Sequence, residues 1–316
     1  MINPANSSSM QSRYVLLTAA KDEEASIGNV IQAVLRQTIR PVAWFIMDDG
    51  SSDQTAAIVA RFAAEHPFIR LQSAGARGGR NFGSQYKAVM AAYELAKPLE
   101  FDFVGVTDAD QAPESAEYYE SMLGEFARNP RLGIGSGFLY ERYSGSEIWE
   151  SRRANSRDSV AGGTALFRRT CFDQIGGYVP LVYGGSDWLV QIEAKMAGWE
   201  ITTRPDLHIF HYRPTSSAGG IWRGMFKAGQ MDAAFGSNSL FEFIKCCRRV
   251  TTNPYFFGSV VRYTGFLKWK LTGRKPLIRP EAVAFLREEQ SAKVRRWLSF
   301  SGRKQVAELY SPAPRS

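Results

Sequence analysis

Asp108 and Asp110, one residue apart, follow the apolar run 101–107, so both carboxylates come to the end of a single predicted strand. Two oxygen donors in that position suit Mn²⁺ or Mg²⁺, which would bridge a diphosphate and neutralise its charge as it leaves. A second acidic cluster, Asp48-Asp49-Gly50-Ser51-Ser52-Asp53, follows the apolar run 43–47 and precedes a helical pattern. A carboxylate beside that glycine turn can accept the imide and hydroxyl hydrogens of a uracil and a ribose; the plainer alternative is helix capping. Lys21, Asp22 and Glu23 form a third polar cluster after the run 14–18. A lone Asp-x-Asp triplet arises easily by chance, and its place in this series gives it weight.

The elements needed to position these groups are legible around them. Residues 14–18, 43–47, 69–72 and 101–107 read as strands, separated by helical patterns over 24–37, 53–65 and 81–96. Over 24–37 the apolar positions Ile27, Val30, Ile31, Val34 and Leu35 recur at helical spacing. Alternation of this kind predicts an α/β domain, a Rossmann-like mixed sheet flanked by helices. Ligands of open α/β sheets bind at the carboxyl ends of strands, so three acidic clusters at three strand tips are expected to meet in one crevice.

Composition bounds the rest. With 316 residues and 44% hydrophobic content the chain has material for one large α/β core and an appendage. Its three cysteines, Cys171, Cys246 and Cys247, include an adjacent pair that would bridge only under strain. They point to a reducing, cytoplasmic setting, and no spacing suits zinc. Residues 1–13 are polar and read as a flexible tail rather than a secretory signal, and no apolar run approaches the roughly 20 residues a membrane span needs. The net charge of +8 is uneven: from Pro214 onward 18 Lys/Arg face 6 Asp/Glu, giving +12, while the remainder, 21 against 25, carries −4.

Taken in order, Thr18-Ala19-Ala20-Lys21-Asp22-Glu23-Glu24-Ala25-Ser26-Ile27, the Asp48–Asp53 cluster, Asp108-Ala109-Asp110, Gly162-Gly163-Thr164-Ala165-Leu166-Phe167-Arg168-Arg169 and Gly184-Gly185-Ser186-Asp187-Trp188 resemble the signature of the inverting family 2 glycosyltransferases with the GT-A fold. The resemblance spans about residues 14–213 and implies a GT-A catalytic domain there, followed by a helical basic and aromatic region over 214–316. It implies donor contacts from Ala20, Glu23 and Asp49, with Asp48 nearby, Arg77 or Arg80 beside the base or phosphates, and Asp108 on the donor's ribose or sugar. It further implies Asp110 as a metal ligand and Asp187 as the general base that takes the acceptor's proton. Gly162, Gly163 and Trp188 fall to the acceptor region, with a simple turn as the alternative for the glycines. His211 and Arg213 resemble a downstream His-x-Arg element that completes the metal site and approaches the diphosphate; a histidine between apolar neighbours, such as His208, is otherwise a structural residue. The sequence departs from the pattern where Ala19 replaces the usual Pro, Asp22 the usual Asn, and Ser186 an acidic residue. Gly78-Gly79-Arg80-Asn81-Phe82-Gly83 lacks the ending of a P-loop and does not follow the first strand, which excludes a P-loop or dinucleotide fingerprint.

Helical patterns over 221–235, 240–250, 255–271 and 281–298 follow a Pro/Ser/Gly-rich break at 214–220. Aromatic residues there alternate with cations, which suits either packing onto the catalytic domain or peripheral contact with an anionic membrane at the inner face of the cell. The expected partners are therefore a nucleotide-sugar donor and a saccharide or polyprenyl-linked acceptor, with no nucleic acid. Two other classes stay open. A sugar nucleotidyltransferase also joins an α/β sheet to an acidic metal pair, but it normally carries a Gly-rich basic loop where Ala20-Lys21-Asp22-Glu23 stands. A basic nucleic-acid-binding protein would leave Asp108, Asp110 and Asp187 without a task.

Overall fold

Strand β1 (Tyr14–Ala20) is apolar on both sides: Tyr14 and Leu16 enter one core while Val15 and Leu17 enter another. Successive strand residues face opposite ways, so a strand of this kind belongs to a sheet covered on both faces. The computed structural model describes residues 12–74, 82–142, 147–152, 155–181, 184–213, 220–250 and 255–298. Strand β2 (Ala43–Asp48) pairs parallel to β1, with Val15 opposite Ala43 and Ala20 opposite Asp48; β3 (Ile69–Ser73) extends that side and β4 (Phe103–Val106) pairs parallel on the other. The remaining strands are β5 (Gln111–Pro113), β6 (Leu132–Glu141), β7 (Glu150–Ser151), β8 (Leu166–Arg168) and β9 (Glu200–His211). They complete the order β3-β2-β1-β4-β8-β6-β9-β5, with β7 beside β6. The direction of winding reverses between β1 and β4, and open α/β sheets bind ligands beyond the carboxyl ends of strands at such a point.

Helices α1 (Ile27–Leu35), α2 (Thr55–Glu65) and α4 (Tyr118–Arg128) cover one face, while α3 (Phe82–Ala96), α5 (Arg169–Gln174) and α6 (Ser186–Met196) cover the other. The predicted strands and helices of the first hundred residues are present with shifted ends, and α1 starts at Ile27 rather than 24. The mixed half of the sheet, β5 to β9, in which β6 and β9 run parallel and the other pairings are antiparallel, adds strands that hydrophobic alternation had not marked. One buried bridge ties three parallel strands together: the Thr18 hydroxyl donates to the Thr107 carbonyl at 2.7 Å and accepts from the Trp44 indole N–H at 2.9 Å. Thr18→Val keeps the shape and strands both partners in the core. It should lower stability by about 1–3 kcal/mol, read as a lower urea midpoint at unchanged slope.

Four helices follow: α7 (Ile221–Ala234), α8 (Ser239–Arg248), α9 (Tyr255–Leu271) and α10 (Pro280–Leu298). They lie within a residue or two of the patterns read from sequence, and the break at 214–219 is outside the described residues. Helices α7 and α9 meet backbone to backbone. A Cβ on Gly229 would stand 1.8 Å from the Arg262 carbonyl oxygen, and one on Gly265 would stand 2.2 Å from that of Phe226. Beside that contact Arg262 reaches both Asp232 and Glu242, and Lys245 closes the cluster at 3.0 and 3.1 Å, so the buried acids are paired. Phe235, Ile278, Ala282, Val283 and Leu286 share a core with Leu189 and Ile192 of α6. The C-terminal helices thus brace the helix whose first turn carries Asp187. Among the described residues no helix is long and apolar enough to cross a membrane.

Candidate active site

The loops after β1 and β2 are locked to each other by the acidic residues that drew attention in the sequence. Asp22 has a positive φ of 53°, a conformation Asp tolerates better than most residues, and its carboxylate accepts the Ser52 N–H at 2.8 Å and the Ser52 hydroxyl at 3.1 Å. These hydrogen bonds hold its pKa below the usual carboxylate value. The Asp53 carboxylate accepts N–H groups from Glu24 at 3.0 Å and Thr55 at 2.9 Å, and Glu24 answers by accepting the Gln54 N–H at 3.0 Å. Asp48 accepts the Ser51 N–H at 3.2 Å, a turn-forming contact. Asp49 is buried at the tip of β2, where its N–H donates to the Ala20 carbonyl at 2.9 Å. Much of the acidity at these two tips is therefore structural, tying the β1 and β2 loops together.

Glu23 is buried, its N–H donating to the Thr55 hydroxyl at 2.8 Å. Arg213, which follows β9, places one guanidinium nitrogen between the carboxylates of Glu23 and Asp110, 2.8 Å from the latter. Residues 190 positions apart in sequence thus share one cation. Asp110 lies 3.6 Å from Nε2 of His211, and Nδ1 of the same ring lies 3.0 Å from Glu141. Burial alone would lower the His211 pKa, but hydrogen bonds with Asp110 and Glu141 carry it up to about 9. Asp110 is likewise opposed by burial, and His211 and Arg213 together hold it below the ordinary carboxylate value. Glu141 fixes the ring so that Nε2 faces Asp110, the arrangement by which an outer carboxylate orients a metal-ligating histidine.

Among the described residues no group of three or more His, Cys, Asp or Glu side chains is arranged to hold a metal ion. Asp110 and His211 offer two donors. A two-donor set fits a hard cation that keeps waters and takes its remaining oxygens from substrate phosphates, and does not fit an all-protein cage. His208 stands apart from this pair, engaged by Glu114 at 2.7 Å and Tyr140 at 3.3 Å.

Asp108 sits against a turn of 3₁₀ helix, Gly162–Thr164, and its N–H donates to the Gly163 carbonyl at 2.8 Å. Its two carboxylate oxygens accept from Gln85 at 2.8 Å and Gln111 at 3.2 Å. Burial first, and then the charge of Asp110, raise its pKa. On the other side of the same turn lies Asp187, in the first turn of α6 after Gly185, which takes a φ of 91° that favours glycine. Burial pushes the Asp187 pKa up as well, against the hydrogen bond from the Trp188 N–H and the charge of Arg152. The glycines are needed where they stand: a Cβ on Gly162 would fall 2.5 Å from the Asp187 Cβ, and one on Gly163 2.1 Å from Oδ2 of Asp108. Tyr86 and Tyr178, stacked at 4.5 Å, back this corner, and both feel the charges of Asp187 and Asp108.

Glu23, Asp108, Asp110, His211, Arg213 and Asp187 are thus linked in one cluster by direct contacts or through the Gly162–Thr164 turn. Trp188 lies at its edge, stacked at 4.5 Å on Phe235 of the C-terminal region. Ser186 is buried and accepts the Leu181 N–H at 3.1 Å, so the residue in place of a second acid anchors the preceding loop. Arg77 and Arg80 lie outside the described residues.

Residues 16–184, more than half of the chain, match the family model described as glycosyl transferase family 2. The chain belongs to that family. Over 224 residues it is 24% identical to the poly-beta-1,6-N-acetyl-D-glucosamine synthase of Staphylococcus epidermidis, covering 66% of this chain and 51% of the relative. Over 182 residues it is 35% identical to the beta-monoglucosyldiacylglycerol synthase of a Synechocystis strain, covering 52% of this chain and 36% of the relative. The chain thus spans about half or less of the curated relatives it matches. A solved mannosyltransferase of Pyrobaculum calidifontis, in complex with GDP-Man and Mn²⁺, superposes with a TM-score of 0.53 at 18% identity, covering 94% of this chain and 79% of that one. At that identity the likeness speaks for the fold, which is of the GT-A type. In this family 2 glycosyltransferase the sequence reading overlooked Gln85, Gln111, Glu141 and Arg152, which hold or face the acids from other elements. Gln111, three residues after Asp108, carried a local signal; the others meet the site through tertiary structure.

Proposed function

We propose that the chain transfers a sugar from a nucleoside diphosphate sugar to a hydroxyl of a saccharide or lipid-linked acceptor, with inversion at the anomeric carbon. The observation that carries this reading is the convergence of six residues from four segments near the β1/β4 switch point: Glu23 after β1, Asp108 and Asp110 after β4, Asp187 in α6, and His211 and Arg213 at the end of β9. Ala20, Glu23, Asp48 and Asp49 bound the nucleotide side. Asp108 meets the ribose or sugar, and Arg213 meets the diphosphate. Asp110 and His211 would hold Mn²⁺ or Mg²⁺, which would supply positive charge to the departing diphosphate. Asp187 accepts the acceptor's proton as the hydroxyl oxygen bonds to the anomeric carbon. The carbon–oxygen bond to the diphosphate breaks on the opposite face, and the nucleoside diphosphate leaves with the electron pair.

The names of the relatives favour a polysaccharide or glycolipid acceptor. The basic C-terminal region and the three free cysteines fit work beside the inner face of a membrane, in a reducing compartment. The test is release of nucleoside diphosphate from UDP-, GDP- and dTDP-sugars with and without Mn²⁺. Turnover of one donor, lost on chelation, is expected; release of inorganic diphosphate from a nucleoside triphosphate would favour the nucleotidyltransferase instead. Asp110→Ala should weaken metal-dependent donor binding by about 10- to 100-fold, measured by titration calorimetry at fixed Mn²⁺.

A further inference from the structure

Helix α9 is apolar on the side that faces away from the protein. Phe256, Val260, Tyr263, Leu267 and Leu271 recur at i, i+4, i+7, i+11 and i+15, the spacing of one helical face, and Phe256 is 59% and Leu271 87% exposed. The opposite face is the packed one: Arg262, Phe266 and Trp269 are buried there. Helix α8 repeats the pattern. Leu240, Phe243 and Cys247 lie outward while Phe241, Glu242 and Cys246 face in, and Phe243 meets Tyr263 of α9 at 5.9 Å, so the two apolar stripes adjoin. A helix of 17 residues gives this surface a length of about 25 Å.

The charge around the stripes is of one sign. Helix α9 contains no Asp or Glu, and Glu242 of α8 is fully buried between Arg262 and Lys245. Arg248, Lys268 and Lys270 stand exposed at the borders, with Lys268 and Lys270 laid over the rings of Phe226 and Phe266. Apolar and aromatic groups rimmed by cations, on helices too polar to span a bilayer, suit a helix lying in the headgroup boundary of an anionic leaflet.

We infer that the adjoining outward faces of α8 and α9 seat this protein on an anionic lipid bilayer, with Phe243, Phe256, Leu267 and Leu271 entering the interface and Lys268 and Lys270 contacting the headgroups. The inference rests on the proposed function for its purpose, the delivery of a lipid-linked acceptor, and on the surface alone for its geometry. The test is co-sedimentation of the full chain with vesicles of phosphatidylcholine alone and of an equimolar phosphatidylcholine–phosphatidylglycerol mixture, without donor. Binding to the anionic vesicles that weakens with salt is expected. Leu267→Glu with Leu271→Glu, and separately Lys268→Glu with Lys270→Glu, should each lower that binding about tenfold or more. Because these side chains are exposed, the variants should keep the wild-type melting curve; Phe256→Ser offers a milder change should one of them melt early. Absence of binding, equal binding to neutral vesicles, or variants that bind like wild type would overturn the inference. A dimer dispersed by Leu267→Glu without vesicle binding would also overturn it, by assigning the face to a second copy. Vesicle binding by a chain that turns over no nucleotide sugar would count against the proposed reaction and leave this surface standing.

Discussion

Asp187→Asn should lower kcat for sugar transfer by about 10²–10⁴-fold while leaving the donor's Kd nearly unchanged. The substitution preserves the shape of the side chain and the oxygen that accepts the Trp188 N–H, so the first turn of α6 stays in place. What it removes is a carboxylate able to take a proton. Burial has already raised the Asp187 pKa above that of a solvated carboxylate, which brings it closer to the working pH and makes it a better base. Since the proton moves as the new bond forms, the loss belongs to the transition state and should be seen in kcat, whereas donor binding, proposed for Glu23, Asp110 and Arg213, should be untouched. Stopped reactions at saturating donor, beside calorimetric donor titration, separate the two. Normal turnover by the variant would take the role of base away from Asp187.

The strand tips were legible in the sequence because a parallel strand buried on both faces is a continuous apolar run, and such runs end abruptly at Lys21, Asp48 and Asp108. Helix starts were less so. The periodicity of α1 extends back to Glu24, but Asp22 has a positive φ and the Glu23 and Glu24 N–H groups bond Thr55 and Asp53, so residues 24–26 form a turn tied to the β2 loop and the regular helix starts at Ile27. These competing partners come from a loop some 30 residues away, which no local pattern reveals. Strands β6 and β9 were missed for another reason. β6 contains Gly133, Gly135 and Gly137, and β9 contains Pro205, both of which argue against a strand interior. In the fold the glycines admit Trp199, Phe126 and the Leu207 carbonyl where a Cβ would collide. Pro205 falls at the register break, where Gly137 is opposite Arg204 and Phe138 opposite His208, a place where a missing N–H costs no ladder hydrogen bond. Acids at strand tips were visible in the sequence as candidates. Glu141 was not, because its importance lies in facing His211 across the β6/β9 pairing.

Gly163→Ala should reduce kcat/KM about 100-fold, because a misplacement of about 1 Å at the reacting centre is enough for a loss of that size. Gly163 does not have a positive φ, so alanine suits its backbone and the lost main-chain freedom of the unfolded state works slightly in the variant's favour. The conflict is local: the new methyl would lie 2.1 Å from Oδ2 of Asp108 and 2.7 Å from Nε2 of Gln111, so the carboxylate must turn out of its hydrogen bonds. Gly162→Ala meets different atoms, the Asp187 Cβ at 2.5 Å and the Tyr86 hydroxyl at 2.8 Å. Two neighbouring methyl groups therefore displace two different acids. If Asp108 holds the donor and Asp187 takes the proton, Gly163→Ala should raise KM for the donor along with its effect on rate, and Gly162→Ala should act on kcat. Gly28→Ala is the control, since its methyl would make only an ordinary contact, 3.9 Å from Ile58. Identical kinetic signatures for the two site variants would mean that the turn acts as one rigid wedge, and would end the separate assignment of Asp108 and Asp187. Wild-type kinetics for both would show that neither carboxylate works where the crevice holds it.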